Sequence, residues 1–217
     1  SATAPPAGTD RDCARATGQN GASSAWAVVA HETLDDPDIT RFAFTPCTGA
    51  ISSDVPAQLD EAAEASGRDD ADIVTLSMGG NDIFFAEVIA GCIDLSLSWD
   101  LVDLTPGCEV SEEQMRRRID MLAGNAAPED GEYRGRQLPK LYDSIAERVR
   151  PGGTVIVMGY PQVVEETARW DGWRRNVLMS CEGVQDYDVG MLRSVAGYLN
   201  QQIALQVQAA DQRWSGR

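Results

Sequence analysis

The 217 residues include 43% apolar side chains and 34 acidic against 18 basic groups, for a formal net charge of −16. That length suits one domain with a real core and is short for two. The acidic balance disfavours nucleic acid and anionic membrane surfaces as partners, since both would repel the chain at long range, and no apolar run is long enough to read as a membrane span.

In chain order, residues 1–22 are rich in Ala, Pro, Gly and Thr and read as loop. Any export signal is expected to have been removed before Ser1. Ser23 or Ser24 then caps a helix through Ala25 to His31. Thr40 to Thr45 alternates apolar and polar residues, which predicts a short strand ended by Pro46. Val55 to Ser66 reads as a helix stopped by Gly67. Asp72 to Met78 is a mostly apolar run opening into Gly79-Gly80-Asn81-Asp82, the pattern of a buried parallel strand and a tight turn. A helix is expected from Phe84 to Ile89, and irregular chain from Gly91 to Cys108. Ser111-Glu112-Glu113-Gln114 is a capping start for a helix through Leu122. Leu138 to Arg148 is amphipathic and closes at Pro151-Gly152-Gly153. Thr154 to Tyr160 is the strongest strand pattern. A long insertion follows over 161–187, then a helix from Val189 to Ala210.

Alternating strand and helix patterns predict an α/β layer fold. The sharpest chemical feature is Gly79-Gly80-Asn81-Asp82 directly after a strand. The carboxyl edge of a parallel sheet is where open α/β folds bind ligands. A neutral amide donor at Asn81 suits stabilisation of a developing oxyanion without quenching a nearby nucleophile; the plainer alternative is a turn in which Asn81 caps the next helix. Gly49, in Thr45-Pro46-Cys47-Thr48-Gly49-Ala50, offers a backbone N–H to the same edge, or is simply a tight turn. Arg116-Arg117-Arg118 reads as a solvated helix face. Trp170, Trp173, Arg174 and Arg175 line a cleft or form a cap over the sheet. Asp69-Asp70 and Asp186/Asp188 are loop acids without calcium-loop spacing. With a single histidine, His31, and no CxxC pair among five cysteines, a zinc cluster is poorly supported. Wide cysteine spacing instead suits disulfide loops and an oxidising compartment.

Taken together these segments resemble the SGNH/GDSL hydrolase family, in particular its secreted, disulfide-containing lipases and esterases. The resemblance runs from Cys13-Ala14-Arg15-Ala16 through Phe42 to Ala50, with Thr48 where serine is usual. It continues through Leu76 to Phe85, the most specific stretch, and on to Gly159-Tyr160-Pro161 and Tyr198-Leu199-Asn200. It implies that Gly49 and Asn81 are oxyanion-hole residues and that Asp82 is an orienting carboxylate. It also implies disulfides Cys13–Cys47 and Cys92–Cys108, contributing roughly 4 and 3 kcal/mol in the loop-entropy picture. Cys181 would then bond a cysteine outside the chain, the alternative being a buried free thiol.

The departures carry equal weight. No Gly-Asp-Ser segment occurs, and the family's Asp-x-x-His segment is missing. His31, the sole histidine, falls on the first helix, where a surface or partly buried role is the plain reading. A serine without a positioned base is a poor nucleophile. The resemblance therefore implies a single SGNH-like domain over 1–217, incomplete at both ends. Its architecture would be a three-layer α/β/α, flavodoxin-like sandwich with a parallel sheet whose first and last strands lie outside the chain. The expected function is a secreted serine ester hydrolase acting through an acyl-enzyme, with nucleophile and base outside these residues. Its substrate would be a small-molecule, lipid or acylated-glycan ester; no cofactor or metal, no nucleic acid and no stable membrane insertion are expected. The alternatives are a catalytically inactive SGNH-like ligand-binding domain and a non-catalytic module stapled by disulfides.

Overall fold

The computed structural model describes residues 25–34, 36–92, 110–162, 164 and 186–216. Six helices and two strands alternate along them: α1 (Trp26–Leu34), α2 (Val55–Ser66), β1 (Ala71–Leu76), a 3-10 turn (Asn81–Ile83), α3 (Phe85–Cys92), α4 (Glu112–Ala123), α5 (Leu138–Ala146), β2 (Val149–Val157) and α6 (Asp186–Trp214). The strands pair in parallel, with Val74 opposite Val155 and Leu76 opposite Val157, and the fold is α/β. Because the pair is parallel, both strands end at one edge, which carries the Gly79–Asp82 turn and Tyr160.

Local signals set the helix limits. Ser111 forms a reciprocal capping box at α4: its hydroxyl accepts from Gln114 N–H at 3.2 Å, and its own N–H donates to Gln114 Oε1 at 2.9 Å. α2 stops at Gly67, which takes the left-handed conformation and donates back to the last turn.

Two expectations about the strands change. Thr40–Thr45 is not a strand: it joins no ladder among the described residues, and alternation alone does not make a strand where no neighbour pairs with it. Arg41 from this stretch reaches across instead to donate to the Ser66 carbonyl at 2.9 Å. The second strand begins earlier than Thr154. Val149 pairs with Ala71 and Thr154 with Ile73, so Pro151-Gly152-Gly153 bulges out inside β2 rather than closing α5. The insertion over 161–187 falls largely outside the described residues.

The core is one cluster. Met115, Ile119 and Leu122 of α4, Leu138, Leu141 and Ile145 of α5, and Leu192, Val195 and Leu199 of α6 are fully or almost fully buried. Val74, Leu76, Val155 and Val157 pack one sheet face against them. Each such side chain contributes roughly 1.5–3 kcal/mol on burial. Ile73 and Ile156, on the alternate strand positions, stay 59% and 45% exposed. Polar ties hold α6 in place: Tyr198 donates to Asp120 at 2.7 Å, and Trp214 Nε1 donates to Asp143 at 2.9 Å.

Arg116-Arg117-Arg118 departs from a solvated face. Arg118 is 9% exposed and paired with Glu132 at 2.8 Å, while Arg116 is bound to Glu112 and Ser194 and stands 4.6 Å from the Tyr198 ring centroid. The triplet points three ways because 100° steps send successive residues to different faces of a helix.

Candidate active site

Two turns meet at the carboxyl edge. The first, Cys47–Ala50, closes with Ala50 N–H donating to the Cys47 carbonyl at 3.2 Å, and Gly49 has φ 77°. The second places Asn81 at the start of the 3-10 turn after β1. Although the two turns lie far apart in sequence, Asn81 Nδ2 donates to the Ala50 carbonyl at 2.9 Å. That bond uses one of the amide's two N–H groups. The structure therefore brings the Asn81 side chain to the Gly49 turn. A hollow of about 330 Å³ opens beside Gly49, lined by Thr48, Asp54 and Gln58 among others; Asn81 is not among its lining residues.

Asp82 is fully buried beneath this junction. Ser52 N–H donates to its carboxylate at 3.0 Å, and the Ser52 hydroxyl donates to the same oxygen. That hydroxyl also accepts from Arg136 N–H, while Arg134 N–H donates to the Asp82 carbonyl at 3.0 Å. The Tyr133–Arg136 loop thus locks the Asn81-Asp82 turn to the segment following Gly49.

Burial pushes the Asp82 carboxyl up to about 6, against the lowering effect of its Ser52 hydrogen bonds and the Arg134 charge. A folded-state value above the ordinary aspartate value means the folded protein holds more protons between about pH 4 and pH 6. This group's contribution to stability is therefore fully present below about pH 4 and is lost as pH rises through 6. The difference amounts to roughly 3 kcal/mol. Asp82→Asn is expected to flatten that part of the profile: between pH 5 and pH 7 the variant should lose less stability than the native protein, as read by urea unfolding at each pH. A second hydrogen-bond arrangement suits the protonated state, because the Ser52 hydroxyl also lies 2.6 Å from the Arg136 carbonyl. It turns to donate there while the carboxylic acid donates to Ser52 Oγ.

A second brace comes from the far strand. Gly80 N–H donates to Tyr160 Oη at 2.8 Å. Asn200 grips the Tyr160 backbone from α6, accepting from its N–H and donating to its carbonyl, both at 2.8 Å. Gly159-Tyr160-Pro161 and Tyr198-Leu199-Asn200, singled out by sequence pattern, thus meet and reach the Gly80 turn through one phenol.

Other sequence candidates fall elsewhere. His31 is partly buried and stacked on Phe42 with centroids 4.4 Å apart. Asp70 pairs with Arg68 at 2.8 Å. Cys13, Cys108, Cys181, Trp170, Trp173, Arg174 and Arg175 lie outside the described residues, as does the side chain of Cys92. Among the described residues no group of three or more His, Cys, Asp or Glu side chains is arranged to hold a metal ion. No helix among them is long and apolar enough to cross a membrane. Sequence reading missed Ser52, Arg134 and Phe84, since no spacing rule links a serine, a loop arginine and a turn so far apart in the chain.

No family model matches the chain. Over 123 residues it is 27% identical to a lipase of Streptomyces rimosus, a match covering 57% of this chain and 37% of that protein. The crystal structure of the extracellular lipase from Streptomyces rimosus superposes with a TM-score of 0.59 at 20% identity, covering 92% of this chain and 73% of that one. The chain thus shares its α/β fold with a lipase of known structure, and its likeness to that organism's lipase supports a resemblance to the SGNH-type hydrolases.

Proposed function

We propose that this chain forms the oxyanion-stabilising part of a secreted serine ester hydrolase of the lipase/esterase type. The observation that carries this reading is the bond from Asn81 to the Gly49 turn, which puts a side-chain amide and a backbone N–H at one sheet edge. As a nucleophile attacks an ester carbonyl, negative charge builds on the oxygen. The second N–H of Asn81 and the N–H of Gly49 are the donors that meet it, and they serve best because the surrounding turns already fix them in place. Gly49 and Asn81 are thus the residues nominated for turnover.

The serine that forms the acyl-enzyme and the histidine that serves as its base come from outside these 217 residues, which contain no Gly-Asp-Ser segment. The lipase match in sequence supports the ester class; the substrate would be a small-molecule, lipid or acylated-glycan ester. The 217 residues act as one SGNH-like domain. In this reading disulfides Cys13–Cys47 and Cys92–Cys108 staple it, as the wide cysteine spacing suits.

A fluorophosphonate probe on the complete gene product tests the reading. Covalent labelling of one serine, with loss of ester hydrolysis in proportion, is the expected result. Folded protein that neither labels nor releases p-nitrophenol from short-chain esters rules the proposal out.

A further inference from the structure

Asn81 is aimed by groups that stand beside it, and we infer that Arg134 is the positioning residue for its amide. This inference rests on the ester-hydrolase reading above.

The Asn81 carbonyl accepts two hydrogen bonds of unequal quality. Phe84 N–H reaches it at 3.4 Å, a long contact, whereas Arg134 Nε reaches it at 2.8 Å with a full positive charge behind it. The same arginine binds the next residue through its backbone, donating to the Asp82 carbonyl, and Glu87 holds its Nη2 at 2.9 Å. Its guanidinium stands 4.4 Å from the Phe84 ring centroid, and that of Arg118 stands 5.3 Å from the same ring. Phe84 needs such support. It has φ 60° and is alone among the described non-glycine residues in having positive φ, a conformation costing about 1 kcal/mol or more.

The strained Phe84 and the two arginines therefore close the turn from one end, with Asn81 at the other. A backbone held at its carbonyl and at the following residue has little freedom to tilt, so the amide is left with only its side-chain torsions. Arg134 touches no reacting atom in this scheme; its Nε and Nη2 are engaged by Asn81 and Glu87.

The test uses the complete protein with a soluble ester and four proteins: native, Asn81→Ala, Arg134→Met and the double variant. Arg134→Met is expected to lower kcat about 10- to 100-fold with KM little changed, the usual consequence of a small misplacement of a reacting group. Arg134→Lys should not restore the rate, because an ammonium lacks the planar fork that serves Asn81 and Glu87 together. In the Asn81→Ala background the Arg134→Met change should cost almost nothing more, since its effect passes through an amide no longer present. The Asn81 side-chain amide resonance of Arg134→Met should also move.

A folded Arg134→Met with native kcat and an unmoved Asn81 amide overturns the assignment. So does an equal loss in both backgrounds, which would mark a merely structural role. Should Arg134→Met fail to fold, Phe84→Gly accepts the left-handed backbone and removes the ring beside Arg134, with the same lowered kcat expected and native kcat overturning the proposal. If the native protein hydrolyses no ester, the hydrolase reading itself falls and takes this one with it; if Asn81→Ala leaves hydrolysis untouched, the oxyanion role of Asn81 falls and this assignment with it. If Asn81→Ala loses activity while Arg134→Met does not, only the positioning role falls.

Discussion

Asn81→Ala is expected to lower kcat of the complete hydrolase about 100- to 1,000-fold, the usual cost of one oxyanion donor, with KM nearly unchanged. The asymmetry follows from when the bond matters. A ground-state carbonyl carries little charge and gains little from a second donor, whereas the tetrahedral oxyanion gains a charge-assisted bond in a confined site. Folding should survive. Asn81 is only partly buried, and its deletion removes one hydrogen bond, to Ala50, a loss of about 1 kcal/mol. Asn81→Asp sharpens the test, because a carboxylate is similar in size, cannot donate to Ala50 and adds a negative charge where negative charge must develop. It should lose at least as much activity as the alanine variant. Steady-state kinetics on both, with a thermal melt to show that each is folded, decides the matter. Native kcat in either variant removes Asn81 from the oxyanion hole.

The parts of this site that were legible in the sequence are those where one local rule applies. Gly79-Gly80-Asn81-Asp82 after an apolar run announced a strand end and a turn, and the Ser111 capping box and the Gly67 stop gave their helix ends to the residue. Asn81 and Gly49 were nominated by position relative to predicted strands, although the segment before Gly49 proved irregular; the turn, not the strand, carries Gly49 to Asn81. What stayed hidden is long-range polar pairing. Ser52 looks like any serine near a helix start, and the loop around Arg134 looks like a solvated Gly-rich turn, yet the two meet across the buried Asp82 carboxylate. Arg118 was misread for a related reason. A run of charges suggests solvent, but one face of α4 buries its arginine beside Phe84 and Glu132. Hydrophobic periodicity reports which face of an element is buried and is silent on which polar groups meet there.

That hidden junction sets the second large effect. Gly135→Ala is expected to destabilise the protein by about 3 kcal/mol or more, lowering the melting temperature by roughly 6–12 °C. Two costs coincide at this residue. Its φ of 96° lies where side-chain-bearing residues are strained, and a Cβ there would fall onto the Asp82 carboxylate oxygen and within 2.6 Å of Ser52 Oγ. Those atoms cannot retreat cheaply. Ser52 and Asp82 are both fully buried and bonded to each other, so displacement leaves buried polar groups unpaired. Gly131→Ala separates the two costs, since Gly131 sits in the same connection with φ 82° but has no atom within 4 Å of its Cβ position. It should show the backbone cost alone, about 1 kcal/mol. If Gly135→Ala melts no lower than Gly131→Ala, the close approach of the loop to Asp82 is wrong, and with it the clamp that holds Asn81 against the Gly49 turn.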